Sequence, residues 1–149
     1  MKRFLNFKKK ETAGILFIYD NHILLTRQID RDKHDFDYPK GSKKDFETLK
    51  ECAIRETNEE IGTNLSKNFL DNINVDKIYE TSEKIYYVFI YELNDYEFEH
   101  LFNTFEIPEF RLQKDEIVEA GFYSLDKALK IIDERFLKIF NNFLITDIL

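Results

Sequence analysis

Residues 41–63 constrain the fold more than any other part of the chain, because they predict one acidic helix between two glycines. An α-helix turns about 100° per residue, so Glu56, Glu59 and Glu60 lie on one face within a turn of each other. Gly62 stands where a helix-ending residue with positive φ belongs. The stretch therefore predicts a glycine loop, a helix with three carboxylates on one face, and a stop.

The same helix has an apolar flank beside its acidic face. Asp45 is a predicted N-cap for the helix. Side chains that can be buried recur at helical spacing along the flank, at Phe46, Ala53, Thr57 and Ile61. We expect this flank to face the core and thereby to fix the direction of the acidic face.

Three carboxylates packed this closely repel each other, so the acidic face needs a cationic partner. Mg²⁺ prefers oxygen ligands and binds one or two carboxylates together with substrate phosphates. Gly41 has no side chain, which lets its carbonyl approach a metal ion. Arg55 projects away from the acidic face and is predicted to pair with Glu47 and to fix the carboxylates. The alternative is a solvated acidic helix surface, which is common for runs of charge.

The pattern resembles the Nudix hydrolase signature, G-x5-E-x7-R-E-U-x-E-E-x-G-U, where U is usually a bulky aliphatic residue. Every fixed position matches, and threonine replaces the aliphatic residue at Thr57 and Thr63. Threonine is close to valine in shape, so both departures are mild.

The resemblance implies a fold, an activity and a set of site residues. The fold is an α/β/α sandwich with a mixed sheet between helices, covering about residues 12–143. The activity is attack of metal-activated water at phosphorus, which cleaves a nucleoside diphosphate linked to another group X. Metal ligands for Mg²⁺ or Mn²⁺ would be Glu56, Glu59, Glu60 and the Gly41 carbonyl, with Glu47 and Arg55 as supporting catalytic residues.

The rest of the chain is consistent with one α/β domain over residues 12–149, after a basic N-terminal arm at residues 1–11. Five strands are predicted, at residues 12–19, 22–28, 75–80, 84–93 and 117–125. Residues 94–113 read as a loop or lid, and residues 125–143 as an amphipathic helix opened by Asp126. Phe136, Phe140 and Phe143 would form the buried stripe of that helix.

Composition limits the compartments and partners. Cys52 is the only cysteine, and no apolar run is long enough to span a membrane, so a reducing, cytoplasmic location without membrane contact is expected. The net charge of −7 argues against binding to DNA, whereas the basic arm keeps a capped RNA partner possible. The expected partner is a nucleotide of low molecular mass, and the oligomeric state is left open.

A general base is often found beyond the signature in the resembled family. Glu116 is the first candidate for the base or for an extra metal ligand, because it precedes an aliphatic residue and an aromatic strand end. Glu119 is the second candidate. Glu116 could equally be a surface glutamate. Geometry must decide between these roles, because a base has to reach the attacking water.

Four residues are predicted to contact the substrate. Lys40 replaces a glycine common in relatives and could offset phosphate charge. Tyr79, Lys84 and Tyr86 resemble the pattern of diadenosine polyphosphate hydrolases, in which a tyrosine follows the signature at about this distance and a lysine and an aromatic residue meet the polyphosphate. A tyrosine ring can stack on a purine base. Dinucleoside polyphosphates are therefore the favoured substrates.

Two alternatives remain. An mRNA-decapping enzyme, which releases a methylated nucleoside diphosphate from capped RNA, would use the basic arm, Lys40 and the Glu116 segment. A non-catalytic, RNA-binding Nudix module is less favoured, because such modules usually lose the metal glutamates that this chain retains.

Overall fold

The computed structural model describes residues 8–137, which form a six-stranded mixed sheet with helices on both faces. The strands are β1 (Lys10–Tyr19), β2 (His22–Gln28), β3 (Lys40–Ser42), β4 (Lys77–Glu80), β5 (Lys84–Glu92) and β6 (Ile117–Ser124). The helices with both ends in this range are α1 (Leu49–Ile61), α2 (Asp95–Leu101) and α3 (Leu125–Ile131), and residues 134–137 are also helical. The predicted α/β class and mixed sheet are confirmed.

The sheet runs in the order β4-β5-β1-β2-β6, and the short β3 pairs with β1. The pairing of β1 with β5 is parallel, and the other pairings are antiparallel. Because β3 lies against β1, residues 12–14 are paired with residues 40–42, and this pairing positions the Gly41 loop.

The central strand β1 is buried on both faces because its apolar residues are continuous rather than alternating. Ile15 and Phe17 join a core cluster with residues of α1, whereas Leu16 and Ile18 join a second cluster with residues of α3. The sheet therefore separates two cores, and α1 covers one of them.

Helix α1 begins later than the sequence predicts. Its N-cap is Thr48, not Asp45, because Thr48 and Glu51 form a reciprocal capping box. Phe46 therefore precedes the helix and is 83% exposed, so its predicted place in the buried flank is wrong. Ala53, Thr57 and Ile61 are buried as predicted.

The helix ends where the sequence predicts. Gly62 has a φ of 66°, and its N–H donates to the carbonyl of Asn58.

The prediction that residues 94–113 form a loop or lid is wrong, because the segment contains α2 and a 3-10 turn at Glu109–Arg111. Asn94 and Glu97 form a second capping box at the start of α2. Phe98 and Phe102 pack against Phe122 of β6 with ring centroids 5.3 and 5.0 Å apart. Phe98 and Phe102 are therefore packing residues, whereas Tyr96 and Phe110 of the same segment are 67% and 87% exposed.

The last predicted helix is interrupted after Ile131, and the chain is helical again over residues 134–137. Ser124, not Asp126, caps the N-terminus of α3, and the helix ends at Ile131. Phe136 is buried as predicted, whereas Phe140 and Phe143 lie outside the described residues.

The N-terminal part of the described chain is partly built into the sheet. Lys10 and Glu11, which the sequence assigned to the basic arm, belong to β1, and Lys9 pairs with Glu80 at 2.8 Å. Within residues 8–137, the helices are too short and too polar for any of them to cross a membrane.

Candidate active site

Gly41 lies on β3 directly against α1, where the absence of a side chain is required. A Cβ atom at this position would overlap the carboxyl group of Glu56. Cys52, one turn before Glu56, donates its Sγ–H to the Gly41 carbonyl at 3.3 Å. Burial raises the pKa of the Cys52 thiol to about 11, so the thiol stays protonated and acts as a donor.

Arg55 connects the carboxylates of the acidic helix. Its Nε donates to Glu47 at 2.5 Å and its Nη2 to the same carboxylate at 3.0 Å, so the predicted pairing is present and bidentate. Nη1 donates to Glu56 at 2.8 Å and to Glu59 at 3.3 Å. Nη2 also donates to the Ser42 carbonyl at 3.1 Å, which ties the helix to the Gly41 loop.

The carboxylates on α1 have different environments. Burial raises the pKa of Glu56, against the opposing effect of Arg55. Glu60 is 6% exposed, and its burial raises its pKa well above the usual range, although the charge of Lys40 and the Lys40 N–H oppose this shift. The Glu59 side chain is 44% exposed. In contrast, the hydrogen bonds from Arg55 lower the pKa of Glu47.

The oxygen atoms of Glu56, Glu59, Glu60 and the Gly41 carbonyl fit a hard divalent cation by their chemistry. They are carboxylate oxygens plus one backbone carbonyl, whose second lone pair is not used by Cys52. Glu60 forms no ion pair with any lysine or arginine of the described chain, so a buried carboxylate lacks a cation at contact distance. As they stand, no three Asp, Glu, His or Cys side chains among residues 8–137 are close enough together to enclose a metal ion. Arg55 contacts Glu56 and Glu59 instead.

A cavity of about 200 Å³ adjoins this site. Gly41 and Glu60 line it together with all four predicted substrate contacts, Lys40, Tyr79, Lys84 and Tyr86. Residues that come from three strands and the helix thus meet at one cavity, although they are far apart in sequence.

The aromatic part of the cavity is preorganised. The rings of Tyr79 and Tyr86 stack with centroids 4.6 Å apart and an interplanar angle of 5°. The hydroxyl oxygens of Tyr79 and Tyr38 are 3.1 Å apart, and burial raises the pKa of both groups. Lys40 lies 5.0 Å above the Tyr38 ring and pairs with Asp37 at 2.5 Å, so its charge is already compensated.

The two candidate bases do not line the cavity. Glu116 is exposed, and its carbonyl accepts a hydrogen bond from the Ile29 N–H at 2.8 Å. Glu119 pairs with Arg27 at 3.1 Å. The structure therefore does not bring either carboxylate together with Glu60 in the cavity.

Several residues that line the cavity were not predicted from the sequence. They are Thr12, Arg31, Asp35, Asp37, Tyr38, Asp133 and Arg135. Asp37 and Tyr38 precede the Gly41 loop directly, so their place in the chain could have indicated them. Asp133 and Arg135 fall inside the helix predicted for residues 125–143, where charged residues read as a solvated face.

Comparison with known families decides the relationship. The NUDIX domain model matches residues 8–143, which is most of the chain. The chain belongs to the Nudix family of hydrolases. The match includes the loop, helix and cavity described above, and it confirms the resemblance of residues 41–63. No curated protein sequence matches the chain.

Solved Nudix structures share the fold at low sequence identity. A Nudix hydrolase from Nitrosomonas europaea has a TM-score of 0.66 at 18% identity, over 95% of this chain and 96% of its own. A bifunctional NMN adenylyltransferase/ADP-ribose pyrophosphatase from Francisella tularensis, in complex with AMP and a manganese ion, has a TM-score of 0.68 at 19% identity. That alignment covers 92% of this chain but only 41% of the Francisella chain. An Ap4A hydrolase from C. elegans has a TM-score of 0.52 at 22% identity, over 91% of this chain and 98% of its own.

Proposed function

We propose that this Nudix hydrolase is metal-dependent and cleaves nucleoside diphosphates linked to X, with dinucleoside polyphosphates as the favoured substrates. The observation that carries the proposal is the cavity that joins Gly41 and Glu60 to the Tyr79–Tyr86 stack and to Lys84. Carboxylate oxygens, an aromatic surface and a lysine are the groups that a nucleotide polyphosphate would need.

Glu56, Glu59 and Glu60, with the Gly41 carbonyl, would hold Mg²⁺ or Mn²⁺. A divalent cation bound there would neutralise phosphate oxygens and lower the pKa of water at the site. The protein's own part is positioning. Arg55 keeps Glu56 and Glu59 next to the Gly41 loop through its bonds to both carboxylates and to Ser42.

The rest of the cavity would bind the nucleotide. Tyr79 is half-buried and stacks on Tyr86 with one face, so its ring is held in a fixed orientation against which a base could pack. Lys84 has no ion-pair partner among the described residues and lines the same cavity. Its charge is therefore available for a phosphate group.

The decapping alternative has weaker support from the described residues. One lysine of the basic arm already faces a carboxylate, with Lys9 at 2.8 Å from Glu80. A positive path for RNA would have to be built from other side chains. The cytoplasmic location remains a prediction from the sequence.

The test is a hydrolysis screen with Mg²⁺ or Mn²⁺ on diadenosine tetraphosphate, ADP-ribose, nucleoside triphosphates and cap-labelled RNA. We expect diadenosine tetraphosphate to yield ATP and AMP, and Glu59→Gln to remove nearly all turnover. Glu99→Gln, which changes an exposed glutamate on α2, is the control and should act like the wild type. Release of methylated GDP from capped RNA alone would instead establish decapping, and substantial activity in Glu59→Gln would refute the metal-site assignment.

A further inference from the structure

Arg135 lies on a segment that is held against the cavity wall by backbone hydrogen bonds and by a buried ring. After α3 ends, the Asp133 N–H donates to the Phe36 carbonyl at 2.8 Å, and the Phe36 N–H donates to the Ile131 carbonyl at 2.9 Å. The next residue after Arg135, Phe136, is 2% exposed and packs against Tyr38 with ring centroids 5.0 Å apart. The backbone at Arg135 is therefore positioned by these hydrogen bonds on one side and by the buried ring of Phe136 on the other.

The guanidinium of Arg135 faces the cavity without a carboxylate partner within the described chain. Its Nη1 donates to the Tyr86 hydroxyl at 3.4 Å, a long hydrogen bond to a neutral group. The nearby Asp133 carboxylate accepts the backbone N–H of Arg135 at 2.7 Å rather than its side chain. Lys40, by comparison, has its charge compensated by Asp37.

Four carboxylates line the cavity, and three of them have a local explanation. Asp37 is paired with Lys40, Asp133 accepts the N–H of Arg135, and Glu60 belongs to the site that would hold a cation. Asp35 is the fourth. The cavity is also lined by Lys84 and Arg135, two cations that lack ion-pair partners among residues 8–137. Lys84 lies two residues before Tyr86 on β5, and Arg135 donates to the Tyr86 hydroxyl.

We propose that Arg135 determines specificity by binding a phosphate group of X, beyond the diphosphate that is cleaved. The inference rests on the proposed function and narrows its substrate class to small-molecule polyphosphates in which X is anionic. A guanidinium binds phosphate through two parallel N–H···O bonds, whereas a neutral sugar would leave the charge of Arg135 unmatched. Lys84 would act on the same group as a second cation.

The test compares two substrates that share an adenosine diphosphate and differ in the charge of X. In ADP-ribose X is a neutral sugar, and in diadenosine tetraphosphate X carries phosphates. We expect Arg135→Gln to raise KM for the tetraphosphate by about tenfold or more, because a charge-assisted pair is lost. KM for ADP-ribose should change by less than about twofold, and Arg135→Lys should recover part of the loss. Lys127→Gln, at an exposed position on α3, is the matched charge-removal control.

Equal effects on both substrates, no effect on either, or a wild-type preference for ADP-ribose would overturn the inference. An effect confined to cap-labelled RNA would assign the anionic group to RNA and would also overturn the inference.

Calorimetric binding of inorganic tripolyphosphate in the presence of EDTA is a second readout, and it does not depend on turnover. Binding at least about fivefold weaker in Arg135→Gln than in Lys127→Gln supports the inference, and equal binding or no binding contradicts it. If the wild type hydrolyses no substrate, the proposed function fails, and this binding experiment alone decides the role of Arg135.

Discussion

The Sγ atom of Cys52 lies 3.3 Å from the carbonyl oxygen of Gly41, and this contact joins the acidic helix to the glycine loop. The sequence marks Cys52 only as the single cysteine of the chain. In the structure its thiol also orients the carbonyl that the resemblance assigns to the metal site. A protonated thiol is needed for this contact, and burial of the side chain ensures it.

The first prediction concerns the reactivity of this thiol. With a pKa of about 11, on the order of one Cys52 thiol in a thousand is ionised at pH 8, and the side chain is fully buried. Native protein should therefore react very slowly with Ellman's reagent, and protein in guanidinium chloride should react at once. The chain has a single cysteine, so the signal has one source. Rapid labelling of the native protein would show that the helix separates from the Gly41 loop.

A second prediction concerns Gly41 itself. In Gly41→Ala, the added methyl group would overlap the Glu56 carboxyl group, so the two elements must separate. We expect activity to fall by about a hundredfold or more, because the two elements are displaced. The free energy of unfolding should fall by about 1–3 kcal/mol, as at an overpacked site. Urea denaturation and steady-state kinetics measure the two effects.

A double variant separates the overlap from other causes of that loss. Gly41→Ala combined with Glu56→Ala removes the opposing carboxyl group, so the stability lost in Gly41→Ala should be largely recovered while activity is not. A simple sum of the two stability losses would mean that the overlap is not the cause.

Helix α1 could be predicted from sequence because the signals that define it are local. The spacing of the glutamates and the stop at Gly62 depend only on helical geometry, and the structure places both as expected. The N-cap was missed because Asp45 and Thr48 are both good capping residues. Thr48 is selected by Glu51 three positions later, which completes the capping box.

The cavity could be predicted only in part, because it depends on pairing between distant strands. Tyr79, Lys84 and Tyr86 were found through the resemblance, but their meeting with Glu60 follows from the placement of β5 beside β1. Arg135 carried no local signal. Its position depends on the chain leaving α3 at Ile132 to bridge Phe36, a contact between residues far apart in sequence.

The Arg55–Glu47 pair gives a third prediction, on pH and stability. Arg55 lowers the pKa of Glu47 below its ordinary value of 4.5 in the folded state. A lowered carboxyl pKa stabilises the fold at pH values above 4.5, and this contribution is lost as the pH falls through the folded pKa. Wild type should therefore exceed Glu47→Gln in free energy of unfolding at pH 7, and the difference should shrink below about pH 4.5. Urea denaturation of both proteins between pH 7 and pH 3 checks this, and a pH-independent difference would contradict it.

The exposed position of Glu116 gives a fourth prediction. Removal of a general base costs about a hundredfold or more in turnover. Because Glu116 does not line the cavity, we expect Glu116→Gln to retain turnover within about threefold of the wild type. Glu119→Gln, which breaks the pair with Arg27, should behave in the same way. A hundredfold loss of kcat in Glu116→Gln, with unchanged stability, would restore Glu116 as the base predicted from the sequence.

The last prediction separates the ring of Tyr79 from its hydroxyl. Stacking of a base on an aromatic side chain is worth about 1–3 kcal/mol, so Tyr79→Ala should raise KM for diadenosine tetraphosphate by about fivefold or more. Tyr79→Phe keeps the ring and its stack on Tyr86 and loses only the contact with the Tyr38 hydroxyl, so its KM should stay within about threefold of wild type. Ile78, the exposed neighbour on β4, supplies the control variant Ile78→Ala, which should leave KM unchanged. If Tyr79→Phe is as impaired as Tyr79→Ala, the hydroxyl and not the ring contacts the substrate, because only the hydroxyl is missing from both variants.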